Sequence, residues 1–275
     1  MPTAVPFTLF AGHLALAPVT VDGRLSTSFI FDTGIGLKLL SDRLRKDLGH
    51  PLLSRTHVGR RMSGQQVALP LTQVDSLTLG TLRQDRPVIG SYDFEAVLEP
   101  EGTVGGFLSL GFFEHSPITM SYRRSHLTLE DEQSLASRAR AGTAVPVSLR
   151  HNGAELEMFL DLVLPSGSVA RVEVDTGSDH LILHERYMGE LGLREGSDGV
   201  ERHEGTDETG HRFVRFRGRV PGTVHVRGFG GVRQDQPKVI FQNIIHDGLV
   251  GRDFLLARDV TYDVAASRMI FGPTD

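Results

Sequence analysis

The chain contains no cysteine and no tryptophan. The first absence excludes a disulfide scaffold, a thiol nucleophile, a thiolate metal site and an iron–sulfur cluster, and it suits a reducing compartment. Aromatic residues make up only 7%, and no apolar run approaches the ~20 residues that a membrane-spanning helix needs. An excess of one charge is also lacking. The 29 basic and 34 acidic residues leave a formal −5, which gives no long-range attraction for nucleic acid or an anionic membrane. Residues 4–19 are mildly apolar, but no basic segment precedes them and Pro6, Gly12, His13 and Pro18 interrupt them, so they do not read as a secretory signal. The expected location is cytoplasmic. What remains, 39% hydrophobic with 31 Gly and 13 Pro over 275 residues, is a globular composition with enough chain for one or two ordinary cores.

The chain repeats itself. Ala4-Val5-Pro6-Phe7-Thr8-Leu9 recurs 140 residues later as Ala144-Val145-Pro146-Val147-Ser148-Leu149. Phe29-Ile30-Phe31-Asp32-Thr33-Gly34 recurs at 143 residues as Val172-Glu173-Val174-Asp175-Thr176-Gly177. Leu39-Leu40 and the segment to Gly49 match Ile182-Leu183 and the segment to Gly192. Ser41 is a good N-cap and Gly49 a good stop, so each copy holds one short helix. Ile118-Thr119-Met120 matches Val260-Thr261-Tyr262 at 142 residues. Four landmarks in the same order establish an internal duplication. The rest is short, alternating and β-branched, as in Thr223-Val224-His225-Val226, so each copy is mostly β. The boundaries expected are a first lobe at 1–131, an exposed and partly helical linker at 132–143, and a second lobe at 144–275.

An Asp that follows an apolar strand and precedes Thr-Gly sits where the chain leaves a sheet, and the glycine lets the backbone turn tightly beside the carboxylate. A single copy reads as a turn aspartate bonding its own backbone. Two copies at matched positions are different, because pseudo-twofold symmetry would bring Asp32 and Asp175 together. Like charges that close cannot both ionise easily, so the pair would share one proton. The ionised partner could then activate water while the protonated one polarises a carbonyl.

On these motifs the chain resembles a single-chain, two-lobed aspartic protease of the pepsin and retropepsin fold, over nearly its whole length. The fold implied is all-β and bilobal, with pseudo-twofold duplication and one short helix after each Asp-Thr-Gly loop. The resemblance makes Asp32 and Asp175 the catalytic pair, has Thr33 and Thr176 cross-brace the two loops, and has Gly34 and Gly177 present amides near the carboxylates. The next position is usually small or hydroxylic; Ser178 fits, whereas Ile35 does not. The missing hydroxyl would remove a hydrogen bond to ionised Asp32, implying a less acidic working range than pepsin's. The family's late apolar-apolar-Gly motif is present as Leu249-Val250-Gly251 but reads Phe107-Leu108-Ser109 in the first lobe.

The resemblance also implies a β-hairpin flap over the cleft. The first candidate is residues 55–69, with Met62, Ser63 and Gly64 at its tip; the second is residues 200–216, with Gly205, Thr206 and Gly210 near its tip. Neither holds one of the four tyrosines, which is the retropepsin-like state. The first carries Arg55, His57, Arg60 and Arg61, and the second Glu201, Glu204, Asp207 and Glu208, so the two differ in charge. Asp32 lies too close to Met1 for a pepsin-type propeptide, and the short lobes resemble bacterial or retropepsin-like intracellular enzymes. His180 and His184 suggest a metal only superficially. There is no phosphate-binding Gly-x-x-x-x-Gly-Lys loop and no Gly-x-Ser-x-Gly elbow. The expected activity is peptide-bond hydrolysis by a monomer acting on a peptide or protein, with no cofactor and no metal. The alternative is a non-catalytic protein of the same fold that holds a peptide or protein partner in the cleft.

Overall fold

Strands dominate the computed structural model, which describes residues 1–94, 104–207 and 210–274. Leu14–Val21 shows why: Ala15, Ala17, Val19 and Val21 are buried and the residues between them are not, the period-two burial of a strand covered on one face. Each half of the chain builds a ten-stranded sheet, and the two sheets have the same strand order. In the first, Leu25–Phe31 lies antiparallel to Leu14–Val21 and parallel to Val104–Leu108. In the second, Val169–Val174 lies antiparallel to Glu155–Val163 and parallel to Gly248–Val250. Registers correspond too: Ile30 faces Leu16 and Phe107, and Glu173 faces Phe159 and Leu249.

A third sheet of six strands draws on both halves. Its edges are Thr3–Pro6 and Thr143–Pro146, identical in sequence and in burial pattern, so the N-terminal segment is a structural strand. Its centre pairs Ile118–Ser121 with Val260–Asp263, where the hydroxyls of the equivalent residues Thr119 and Thr261 meet at 2.6 Å. The pseudo-twofold axis passes between them.

Helices are short. Asp42–Asp47 starts at Ser41, whose Oγ accepts from the Leu44 amide at 3.4 Å, and is followed by Gly49 at φ 78°. Lys46 and Arg45 hold the Asp42 carboxyl at about 2, which adds charge pairing to the same turn. Its counterpart, Arg186–Glu190, is followed by Gly192 at φ 76°. Glu132–Ala141 connects the two halves, closed by an Asp131–Ser134 capping box and burying none of its residues. Thr143 already belongs to the next strand.

One apolar core runs through both halves and takes in Phe29, Phe31, Val172 and Val174. Because side chains alternate, Ile30 and Glu173 point to the other face of their strands. That face carries two separate clusters: Ile30, Leu37, Leu39 and Leu71 in the first half, and Ile182, Ile244 and Leu249 in the second. Among the described residues, no helix is long and apolar enough to cross a membrane.

Candidate active site

Both strands that enter the site end at an aspartate. The Asp32 amide donates to the Leu108 carbonyl and the Asp175 amide to the Val250 carbonyl, each at 3.0 Å, so the parallel neighbour strand fixes both loops alike. The threonines that follow are buried and interlock across the axis. Thr33 N donates to Thr176 Oγ1 and Thr176 N to Thr33 Oγ1, both at 3.0 Å. Each hydroxyl then donates across to the other lobe, Thr33 to the Val174 carbonyl at 2.6 Å and Thr176 to the Phe31 carbonyl at 3.2 Å. Four reciprocal bonds between buried groups hold the loops in one relative position.

Gly34 and Gly177 each donate an amide to the Oδ1 of their own aspartate, at 2.8 and 2.9 Å. Their lack of a side chain serves a different need from the one expected. Neither has a positive φ, so no tight left-handed turn requires glycine. Instead, a Cβ on Gly34 would lie 2.5 Å from Asp175 Oδ1, and one on Gly177 would lie 2.6 Å from Asp32 Oδ2. Each glycine makes room for the carboxylate of the opposite lobe.

The two carboxyl groups are partly exposed to the cleft and hydrogen-bonded to each other. Burial raises the pKa of Asp32, while amides from Gly34 and Gly177 pull the other way. Burial raises Asp175 well above the usual carboxylate range, and the charge of Asp32 adds to it. The pair therefore retains one proton at a pH where isolated aspartates have lost theirs, and that proton belongs to the pair.

The two departures in the first lobe have local explanations. Ser178 turns its hydroxyl to the His180 carbonyl at 3.0 Å and away from Asp175. Ile35 thus forfeits no side-chain bond to a carboxylate that Ser178 makes, so it does not shift the working range away from acid. Gly251 is packed so that a Cβ would lie 2.4 Å from the Ser178 carbonyl and 2.6 Å from that of His180. In the first lobe the chain instead makes a tight turn, Leu37 N to Ile35 O at 2.7 Å, and Ser109 fits with its buried hydroxyl unpartnered. Neither difference reaches the carboxylates.

Both expected hairpins are present. Leu52–Arg60 pairs with Gln66–Gln73, and Glu201–Thr206 pairs with Arg212–Arg219. Their tips close identically: Gly64 N donates to Arg61 O at 2.8 Å and Gly210 N to Asp207 O at 2.9 Å, with the glycines at φ 84° and 82°. Gly205 lies in the strand, under the Phe213 ring, and Thr206 is the last residue before the turn. Glu208 lies outside the described residues.

The hairpins meet across the cleft, which their opposite charges foreshadow. Arg61 and Asp207 pair at 3.6 Å. The Met62 carbonyl accepts from the Ile245 amide at 2.9 Å, and the Met62 side chain packs on Ile182, Ile244 and Leu249. Ser63 lies at the tip with its hydroxyl buried and unpartnered. Lower down, His57 Nε2 meets Glu155 Oε1 of the second lobe at 2.8 Å. Glu155 and Ile245 carry no motif, and only the close approach of the lobes shows their part.

His180 and His184 do not converge. His180 Nδ1 meets Asp253 at 2.7 Å, whereas His184 Nδ1 accepts from the Arg186 amide at 3.1 Å. Asp179, His180 and Asp253 could together reach an ion, but Arg252 already neutralises Asp179 at 3.2 Å. A further ionisable group was missed by motif reading. Glu173, two residues before Asp175, is 5% exposed and lies 3.5 Å from His246 Nε2.

Comparison with known proteins agrees with this geometry. Residues 17–109, within the first lobe, match the model of a family described as aspartyl protease. No curated protein matches the chain in sequence. Among solved structures, conglutin gamma, a basic 7S globulin from lupine seeds, is similar with a TM-score of 0.59 at 10% identity, covering 98% of this chain and 94% of that one. The basic 7S globulin from soybean gives 0.58 at 11% identity, with 98% and 94% covered. The protein called edgp gives 0.57 at 10% identity, with 99% and 95% covered. At such identities the likeness shows the fold, a two-lobed all-β architecture of the pepsin-like kind.

Proposed function

We propose that this two-lobed chain is an aspartic endopeptidase, with Asp32 and Asp175 as its catalytic pair. The observation that supports this reading most is the paired carboxyl group itself, fixed by reciprocal threonine bonds and given room by Gly34 and Gly177 of opposite lobes. In the reaction, a water held between the carboxyl groups gives a proton to the ionised carboxylate as its oxygen attacks the scissile carbonyl carbon. The protonated partner gives its proton to the carbonyl oxygen, producing a neutral gem-diol. Collapse breaks the C–N bond: the amine takes a proton from one carboxyl, and a diol hydroxyl returns one to the other. The protein gains and loses no net proton over a turnover, as a pair sharing one proton requires.

The hairpins exclude water from this chemistry. In the closed arrangement the Met62 tip sits on the second lobe, so a peptide enters only after the first hairpin lifts. The substrate is a peptide or protein in extended form, and a monomer suffices because one chain supplies both half-sites. The same fold also serves as a seed globulin, which keeps a second reading in play: a protein that binds a peptide in the cleft without cleaving it.

Cleavage of a diverse peptide pool, followed by mass spectrometry between about pH 3 and 8, separates the two readings. The expected result is defined cleavage by the wild type and none by Asp32→Asn or Asp175→Asn. Peptide binding without cleavage at any pH would favour the binding protein.

A further inference from the structure

The two lobes copy each other in the core but not on the opposite face of the same strands. Five positions bring this out. In the first lobe, Phe10 faces Leu14, Leu16 faces Ile30, and Val104 lies three residues before Phe107. All five belong to a single apolar cluster. The same register positions of the second lobe are Arg150 facing Glu157 and Phe159 facing Glu173, with His246 three residues before Leu249. An apolar wall has become an ionisable one.

The second-lobe residues are also ordered as a wall. Arg150 Nη2 bonds Glu157 Oε1 at 2.8 Å, and its guanidinium lies 5.2 Å from the centre of the Phe159 ring. Phe159 meets the His246 ring edge-on at 5.4 Å, and His246 reaches Glu173. Arg150 is half exposed and bonded to Glu157, so its charge offsets the burial of Glu173 only in part, and the partner that Glu173 meets directly is a histidine. Burial draws that histidine toward its neutral form, making it a weak counter-ion. Burial likewise raises Glu173 well above the usual range, and the charges of Asp175 and Glu157 add to this. A buried carboxyl held without a strong cation is costly, and a cation brought in from outside relieves that cost.

The wall's position says what would bring it. Glu173 lies on the strand that runs into Asp175, two residues before it, and His246 adjoins Ile245, whose amide holds the first hairpin's tip. A side chain placed here sits between the catalytic pair and the flap. Building on the endopeptidase reading, we infer that the second-lobe wall takes a cationic substrate side chain, a lysine or arginine adjoining the scissile bond. Glu173 is the group that meets it. The matching first-lobe wall takes an apolar side chain, so the substrate is asymmetric about the bond that is cut.

The test uses paired peptides that differ only in lysine against norleucine, the same chain without the charge, on either side of the cleavage site. In the wild type, lysine on one side should raise kcat/KM at least about tenfold, the weight of a charge-assisted hydrogen bond. Glu173→Gln, which keeps the shape, should bring the ratio near one, and Glu173→Ile, the first lobe's equivalent, should invert it. A wild-type ratio of one or less, or a ratio unmoved in Glu173→Gln, overturns the inference and leaves the protease reading intact. The Kd of the same peptides on Asp32→Asn, read by fluorescence anisotropy, gives the preference without turnover. Tighter lysine binding with no cleavage by wild type would keep this inference and sink the protease reading; equal binding would overturn the inference.

Discussion

The two lobes differ least where they touch each other and most on the strand face turned away from their shared core. At the axis the agreement is nearly numerical: paired threonine bonds of 3.0 Å, aspartate amides bonded at 3.0 Å, and glycine amides at 2.8 and 2.9 Å. On that outer face, Ile30 in one lobe stands where Glu173 stands in the other. The contrast teaches where the duplicated fold tolerates change. A residue that must fit its own twin across an axis is constrained by that twin, whereas a residue on the outer face answers only to its neighbours within one lobe.

The largest effect should come from breaking the symmetry at the axis. Gly34→Ala and Gly177→Ala each push a methyl into the opposite carboxylate, and displacement on that scale costs about 100-fold or more in kcat/KM. The two losses should be alike; a tenfold difference between them would show that the lobes contribute unequally. Next comes the packing of the late motif. Gly251→Ala should cost about 2–3 kcal/mol in a denaturant titration, because the methyl meets backbone carbonyls. Ser109→Ala should be neutral or stabilise by about 1 kcal/mol, since it removes a buried hydroxyl with no partner.

The wall residues sharpen the comparison through pH. The folded pKa of Glu173 lies above its unfolded one, so its contribution to stability is fully present below the unfolded value and is lost as pH rises through the folded value. Glu173→Gln should therefore melt above wild type at pH 7, and the gap should close near pH 4. Ile30→Gln should melt lower at every pH, because it buries an amide in an apolar cluster. The smallest effect belongs to the hairpin tips. Arg61→Ala breaks a partly exposed ion pair worth about 0–1 kcal/mol, so KM should change by less than about fivefold. Met62→Ala should lower KM instead, because the seat on Ile182 and Leu249 that it loses is one an entering peptide must otherwise break.

Much of the fold was legible because duplication prints the same pattern twice. Asp32-Thr33-Gly34 and its copy, the Ser41 cap, the Gly49 stop and both hairpin turns rest on local chemistry that a sequence carries openly. The role of Gly34 was not legible, since the atom that excludes a side chain belongs to Asp175 in the other lobe. The same holds for Ile35 and Ser109: their meaning depends on where Ser178 turns its hydroxyl and how closely Gly251 packs. Glu173 was visible as a letter within the repeat but not as a wall residue. Its neighbours Phe159 and His246 are brought to it by strand register, which alternation alone does not fix.

The central claim is that Asp32 and Asp175 work as one unit holding one proton. Its most direct test is the pH profile of kcat/KM for the best peptide from the pool, with wild type and both Asp→Asn variants. The account predicts a bell with two limbs, both set by the pair, and loss of activity at every pH in either variant. A single-limbed profile, or a profile that survives in Asp32→Asn or Asp175→Asn, would contradict it.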